Sequence, residues 1–210
     1  MSTQEFPREY FQRIDESDDG LFYSTARKVV HIDDGAIQAL REQFAVLLPQ
    51  NGTLLDLMSS WRSHLPETLK PKRVVGLGMN AEEMADNPQL NRYTVQNLNL
   101  NPMLPYEDDA FDGAFCTVSV QYLTQPTAVF SEVRRVLKPG GIFIVSFSNR
   151  CFPTKAVAVW QGTGDRAHLA LVTAYFEQSG GWGDVTAWQK PGKGWLAQGD
   201  PLYIVHGRKA

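Results

Sequence analysis

An acidic residue interrupts a short apolar run near the middle of the chain. Asp56 lies within Leu54–Leu57, and two serines, Ser59 and Ser60, follow where a turn must form. An apolar strand that ends in a polar turn is typical of the centre of a parallel sheet, whose ligands bind beyond the carboxyl ends of the strands. The sequence therefore predicts a ligand site at this turn. We expect Asp56 to accept hydrogen bonds from backbone donors and to anchor the turn that binds the ligand, with a purely structural network as the alternative.

The other reactive side chains form no recognised catalytic group in the sequence. His64 lies in the same turn and is a candidate base, although a loop histidine of this kind is more often incidental. Ser24, His31 and Cys151 show no spacing that pairs a nucleophile with its base. No nucleophilic mechanism is therefore predicted from these residues.

Two glycines, Gly76 and Gly78, resemble part of a dinucleotide-binding fingerprint. That fingerprint requires its glycines in the turn after the first strand of the unit. Because these glycines fall in and after the second predicted strand, a nicotinamide cofactor is not expected.

Strands and helices alternate along the chain, which favours a parallel α/β sheet with helices on both faces. No helix separates the last two strands, so the sheet is expected to close with an antiparallel hairpin. Residues 1–34 are predicted to form an arm, and residues 35–210 the main domain. The predicted strands are 54–57, 73–77, 92–96, 111–120, 141–147, 184–189 and 202–206, and the main helices begin near 34, 81, 126 and 166.

The composition limits the classes of partner that the chain is expected to bind. Its 210 residues carry a net charge of -3 with no dense basic run, so no nucleic-acid partner is expected. No apolar run reaches the roughly 18 residues of a membrane span, and the polar first residues predict no signal peptide. Cys116 and Cys151 show neither metal nor disulfide spacing, which favours no metal and a cytoplasmic location.

Two segments of the second half carry a family resemblance. They read FDGAFCTVSVQYL and VFSEVRRVLKPGGIFIVSF. A strand, then a helix, a KPGG turn and a further strand in this order resemble class I S-adenosylmethionine-dependent methyltransferases of type 11, over about residues 35–210. The segments LDLMSSW and SNRCFPTKA are similar to those of a divergent branch. The resemblance implies a Rossmann-like sheet of order 3-2-1-4-5-7-6 with strand seven antiparallel.

The first half departs from the family pattern at the cofactor positions. Met58, Ser60 and Arg62 stand where the family has a glycine-rich turn, and Gly78 stands where an acidic residue usually binds the ribose hydroxyls. Asn80, Glu82 or Glu83 is predicted to replace that carboxylate by reaching back from the start of the following helix. Asn80 is alternatively predicted to cap that helix, with Glu83 at the reciprocal position of a capping box. Gly78→Asp is expected to restore the usual partner. The resemblance implies S-adenosylmethionine contacts at Arg27, Asp56, Met58, Ser59, Ser60, Gly78, Met79, Asn80, Asn97 and Leu98.

The resemblance also implies where the substrate lies. Tyr122, at the tip of the fourth strand, and Asn149, after the fifth, join His64 as catalytic candidates. The arm and the connection 148–165 are predicted to cover the pocket. The expected function is methyl transfer from S-adenosylmethionine to a small molecule; the alternative is a catalytically silent protein that serves as a binding or scaffold module. The accepting atom and the oligomeric state are left open.

Overall fold

A computed structural model describes residues 6–190 and 199–210 of the chain. Seven strands form one sheet of order β3-β2-β1-β4-β5-β7-β6, and β7 runs antiparallel to its neighbours β5 and β6. Both the order and the direction of the last strand confirm the prediction. The strands are β1 Thr53–Leu57, β2 Arg73–Gly78, β3 Arg92–Val95, β4 Phe111–Thr117, β5 Leu137–Phe147, β6 Trp182–Lys190 and β7 Leu202–Lys209. The helices are α1 Asp19–Phe22, α2 Asp34–Leu47, α3 Ala81–Ala85, α4 Pro126–Val136, α5 Ala158–Gln161 and α6 Asp165–Ser179.

The two faces of the sheet belong to two separate apolar cores. Side chains alternate along a strand, so Ile142 and Ile144 of β5 join the core that contains α2. Phe143 and Val145 point the other way and join the core of α4 and α6. Both faces of β5 are therefore buried, which explains why its sequence reads as a continuous apolar run.

The KPGG segment lies in a strand and not in a helix cap. The sequence predicted a turn at KPGG and a strand that begins at Gly141, but α4 ends at Val136 and β5 already begins at Leu137. The pairing of β4 with β5 shifts register between Phe111 and Gly113. The positive φ of Gly140, 75°, lies within this irregular stretch. The strand and its bulge therefore replace the predicted helix end.

The fourth strand is shorter than predicted. It ends at Thr117, and Val120–Tyr122 form a turn of 3-10 helix instead of continuing the strand. Val118 has a positive φ of 51°, so the extended backbone cannot pass through it. Tyr122 therefore lies on the turn beyond β4.

The arm packs along the carboxyl ends of the strands through a buried cluster of charges. The fully buried ammonium of Lys155 lies 3.1 Å from a carboxylate oxygen of Asp15 and 3.1 Å from one of Asp19. Asp19 also accepts hydrogen bonds of 2.7 and 2.9 Å from Arg13. These contacts join the arm to the connection after β5. In the part of the chain that the structure describes, no helix has the length and apolar character needed to cross a bilayer.

Candidate active site

A cavity of about 380 Å³ lies where the carboxyl ends of β1, β2 and β4 meet the arm. This volume falls within the range of small-molecule sites. Every predicted cofactor residue lines it: Arg27, Asp56, Met58, Ser59, Ser60, Gly78, Met79, Asn80, Asn97 and Leu98. The structure thus brings together residues from four separate segments of the chain.

Asp56 holds the turn that forms the floor of the cavity. One carboxylate oxygen accepts hydrogen bonds from the hydroxyls of Ser59 (2.7 Å) and Ser63 (2.6 Å). The donors are hydroxyls, whereas the sequence had predicted a connection to backbone amides. Burial raises the pKa of Asp56 to about 7, although both serine hydroxyls favour its ionised form. The side chain therefore anchors the turn, as expected.

Met58 adopts a backbone conformation that glycine adopts more easily. Its φ is 56°, in the left-handed region, at the place where the family has its first glycine. The thioether sulfur lies 4.0 Å from the thiol of Cys116. The chain thus keeps the sharp turn after β1 without the glycine, at a conformational cost of about 1–2 kcal/mol.

The end of β2 has no room for a side chain. A Cβ added to Gly78 would lie much closer than van der Waals contact to the Ser59 carbonyl oxygen and 3.1 Å from the sulfur of Met84. The expectation that Gly78→Asp restores a ribose partner is therefore wrong, because the turn after β1 closes over this position.

Asn80 caps α3 and also holds the arm. Its Oδ1 accepts a hydrogen bond from the amide of Glu83 (3.0 Å), while its Nδ2 donates to the carbonyls of Tyr23 (2.8 Å) and Ser24 (3.3 Å). The capping role is confirmed. Glu83 does not complete a capping box, because its carboxylate instead accepts from the amide of Arg27 and the hydroxyl of Ser60.

Arg27 brings a positive charge to the cavity wall. Its guanidinium lies 4.5 Å from the ring centre of Phe22 and 5.6 Å from that of Phe152. Within residues 6–190 and 199–210, no carboxylate forms an ion pair with it. A cation held between two aromatic rings in this way is available to an anionic ligand.

Asn97 and Leu98 form the wall where the resemblance implies adenine. Asn97 accepts a hydrogen bond from the amide of Asn99 (2.9 Å), which makes it a turn residue as well as a cavity residue. Leu98 is buried and supplies an apolar surface. An amide beside an apolar wall suits a planar heterocycle with polar edges.

The three catalytic candidates lie in different environments. Tyr122 and His64 line the cavity, whereas Asn149 is exposed outside it. The Tyr122 hydroxyl accepts a hydrogen bond from the amide of Phe152 (2.8 Å), and burial raises its pKa to about 12. Burial, with Arg41 and Arg62 nearby, lowers the pKa of His64 to about 4. Both lining residues are therefore neutral at pH 7.

The connection after β5 contributes less to the cavity than its length suggests. Cys151 and Phe152 line it, but Val157 and Trp160 are buried in the core. Lys155 follows the fifth strand, where substrate contacts commonly fall, but it belongs to the buried charge cluster. Its partners are 136 to 140 residues away, so no local sequence signal indicates this role.

Several cavity residues were not predicted as site residues. The arm contributes Arg13 and Asp19, and the loop after β3 contributes Asn99. The acidic pair Asp18-Asp19 before an apolar step is a visible helix-start signal, but it reveals nothing about the distant partners. Glu83 of α3 also lines the cavity; the sequence had offered it as a replacement for the ribose carboxylate or as part of a capping box.

This geometry, a ligand cavity at the carboxyl ends of a 3-2-1-4-5-7-6 sheet, defines the class I methyltransferase fold. A family model described as methyltransferase domain matches residues 60–145. The family match confirms the resemblance seen in the sequence. Residues 60–145 thus match a methyltransferase domain within a chain that has the class I methyltransferase fold, and S-adenosylmethionine is the cofactor that this match implies.

Individual proteins support the same assignment. The biotin biosynthesis bifunctional protein BioHC of Teredinibacter turnerae is 32% identical over 149 residues, which cover 61% of this chain. The match spans 26% of that protein, and no more than about a quarter of the other curated relatives.

Solved structures show the fold. An S-adenosylmethionine-dependent methyltransferase of Mesorhizobium loti is 17% identical, with a TM-score of 0.54 over 83% of this chain and 99% of that one. A Haloferax volcanii methyltransferase, solved in complex with the Trm112 activator, is 18% identical, with a TM-score of 0.58 over 84% of this chain and 90% of that one.

Proposed function

We propose that this protein transfers a methyl group from S-adenosylmethionine to a small-molecule acceptor. The observation that carries the proposal is the convergence of ten predicted cofactor residues on one cavity. The cavity has a cation at its wall, an anchored turn at its floor and an apolar surface beside an amide. These features match the carboxylate, the amino-acid portion and the adenine of the cofactor.

Each part of the cavity has a role in holding the cofactor. Arg27 would pair with the carboxylate of the amino-acid portion, and the turn that Asp56 anchors would support that portion. Asn97 and Leu98 would bind the adenine. S-adenosylmethionine, when bound, supplies an electrophilic methyl group. The protein therefore has to position the acceptor and exclude water, and positioning alone can contribute about 7–11 kcal/mol.

The arm is proposed to act as a lid on the cavity. Its residues Tyr23, Arg27 and His31 line the cavity, and Trp61 of the turn donates a hydrogen bond of 2.9 Å to the carbonyl of Val29. A cavity of about 380 Å³ beneath this arm favours a small acceptor over a macromolecule. The net charge of -3 likewise disfavours nucleic acid.

Tyr122 and Phe152 are proposed to close the acceptor side. Their rings lie 6.0 Å apart at an interplanar angle of 29°, next to the cavity. Neither Tyr122 nor His64 is charged at pH 7, so an acceptor that is already nucleophilic suits the site. A general base typically contributes only about 10²–10⁴-fold, which positioning outweighs.

One observation favours the alternative of a catalytically silent binding module. The position of the family's ribose carboxylate is not only occupied by glycine but also closed by the Ser59 carbonyl. A chain that had lost cofactor binding would tolerate this closure. The two functions differ in whether S-adenosylmethionine binds.

Calorimetric titration of the full chain with S-adenosylmethionine tests the proposal. We expect saturable binding of one molecule per chain, and at least tenfold weaker binding by Arg27→Gln. Lys28→Gln is the matched control, because Lys28 is the neighbouring cation and pairs with Glu82 and Asp86 on the surface. Absence of binding by the folded parent protein would support the silent module instead.

A further inference from the structure

The structure narrows the choice of residues that could replace the missing ribose carboxylate. Position 78 cannot carry a ribose-binding side chain, because the Ser59 carbonyl leaves no room for one. Asn80 has its Oδ1 on the amide of Glu83 and its Nδ2 on two carbonyls of the arm. Asn80 Oδ1 thus keeps one acceptor site, which is too few for both hydroxyls of a ribose.

Within the described ranges, three carboxylates line the cavity, and they differ in how many acceptor sites they have left. Asp19 receives two contacts from Arg13, one from Asn99 and one from Lys155, so its four sites are used. Asp56 is 3% exposed and lies beneath the hydroxyls of two serines. Glu83 is the remaining carboxylate.

Glu83 lies beside the closed position and has free acceptor sites. Its Oε2 accepts from the hydroxyl of Ser60 (2.6 Å), the residue that follows Ser59, and its Oε1 accepts from the amide of Arg27 (2.6 Å). An ionised carboxylate offers about four lone-pair sites, so two remain for further donors. A vicinal pair of hydroxyls requires that number.

We propose that Glu83 is the ribose-binding carboxylate of this protein, displaced from the end of β2 to the first turn of α3. The inference rests on the proposed function, since it assigns a part of the same cofactor. Because Glu83 also contacts Arg27 and Ser60, a bound ribose would join the arm, the turn after β1 and α3 at a single side chain. Ribose recognition and closure of the arm are therefore linked.

The proposal is tested by calorimetric titration of the full chain with S-adenosylhomocysteine and with its analogue that lacks both ribose hydroxyls. A hydrogen bond to a charged group contributes about 1.5–3 kcal/mol, so the parent should prefer the natural compound by at least tenfold. Glu83→Gln should lose most of this preference, while its affinity for the analogue changes less than about threefold.

One variant serves as the control, with thermal melting as the check on folding. Glu82→Gln changes the neighbouring, exposed glutamate and should keep the full preference. If Glu83→Gln fails to fold, Glu83→Asp gives the same comparison, because its side chain is one methylene shorter and withdraws the carboxylate from the ribose hydroxyls.

The outcomes separate this inference from the proposed function. An equal loss of affinity for both compounds in Glu83→Gln would show a structural role for Glu83 and overturn the inference alone. A parent protein that binds both compounds equally would also overturn it alone. A folded parent that binds neither would overturn the proposed function as well.

Discussion

The carbonyl oxygen of Ser59 lies directly against the α-carbon of Gly78, on the side where any other residue would carry its Cβ. The amide of Ser59 also donates a hydrogen bond of 2.8 Å to the carbonyl of Leu77. The turn after β1 is thus bound to the end of β2 by its own backbone. This contact explains why glycine occupies a position at which the family usually has an acidic residue.

Gly78→Asp is expected to destabilise the fold and not to tighten cofactor binding. The new Cβ meets backbone, which cannot move as a flexible side chain can, so the cost should be about 1–3 kcal/mol. Urea denaturation measures it. Gly164→Asp is the matched control, because nothing lies within 4 Å of a Cβ there and the position caps α6. Unchanged stability together with tighter binding would contradict the closed turn.

The stability of the protein is expected to depend on Asp56 between pH 5 and pH 8. Its pKa rises from 3.8 to about 7 on folding, so the folded state keeps the proton up to a higher pH than the unfolded state does. The contribution of Asp56 to the free energy of unfolding therefore falls as the pH rises. Asp56→Asn should remove that dependence and gain about 2–3 kcal/mol relative to the parent over the interval. Urea denaturation at both pH values measures the difference.

Other titrating groups leave that comparison unchanged. The pKa values of His31, His64 and His206 are lowered, chiefly by burial, so their contribution to stability rises with pH in parent and variant alike. Asp34→Asn, on the exposed first turn of α2, is the control and should keep the parental pH dependence. A parallel pH dependence of Asp56→Asn and the parent would contradict a raised pKa for Asp56.

Lys155→Met is expected to loosen the arm. Removing one partner from a buried ion pair typically costs about 3–5 kcal/mol, and the lower end applies because Arg13 still pairs with Asp19. Limited proteolysis should then cleave near Ser17, whose carbonyl accepts from Lys155 at 2.8 Å. Lys70→Met, on an exposed loop, should change neither stability nor cleavage. An arm that stays protected in Lys155→Met would show that other contacts suffice to hold it.

The sheet and most of the cavity could be predicted from the sequence because their signals are local. Apolar strands such as Leu54–Leu57 alternate with helices, and the carboxyl ends of parallel strands must meet at one edge. The residues at those ends therefore line the cavity. The sharp turn at Met58 was harder to foresee, because its positive φ is maintained by the surrounding contacts and not favoured by the residue itself.

The contacts of Glu83 and Lys155 could not be predicted, because their partners are distant in the chain. Glu83 has the spacing of a capping box, but it contacts Arg27, 56 residues earlier, and Ser60, 23 residues earlier. Asn149 follows an apolar strand and was expected near the substrate. It is exposed outside the cavity, whereas Arg150 beside it lines the cavity and pairs with Asp200 at 2.9 Å.

The most direct test of the proposed cofactor site is a crystal structure of the full chain with S-adenosylhomocysteine. We predict the compound in the cavity of about 380 Å³, with its carboxylate on Arg27, its adenine beside Leu98 and its ribose hydroxyls hydrogen-bonded to Glu83. A compound bound elsewhere, or within the cavity but with its ribose away from α3, would contradict the arrangement proposed here.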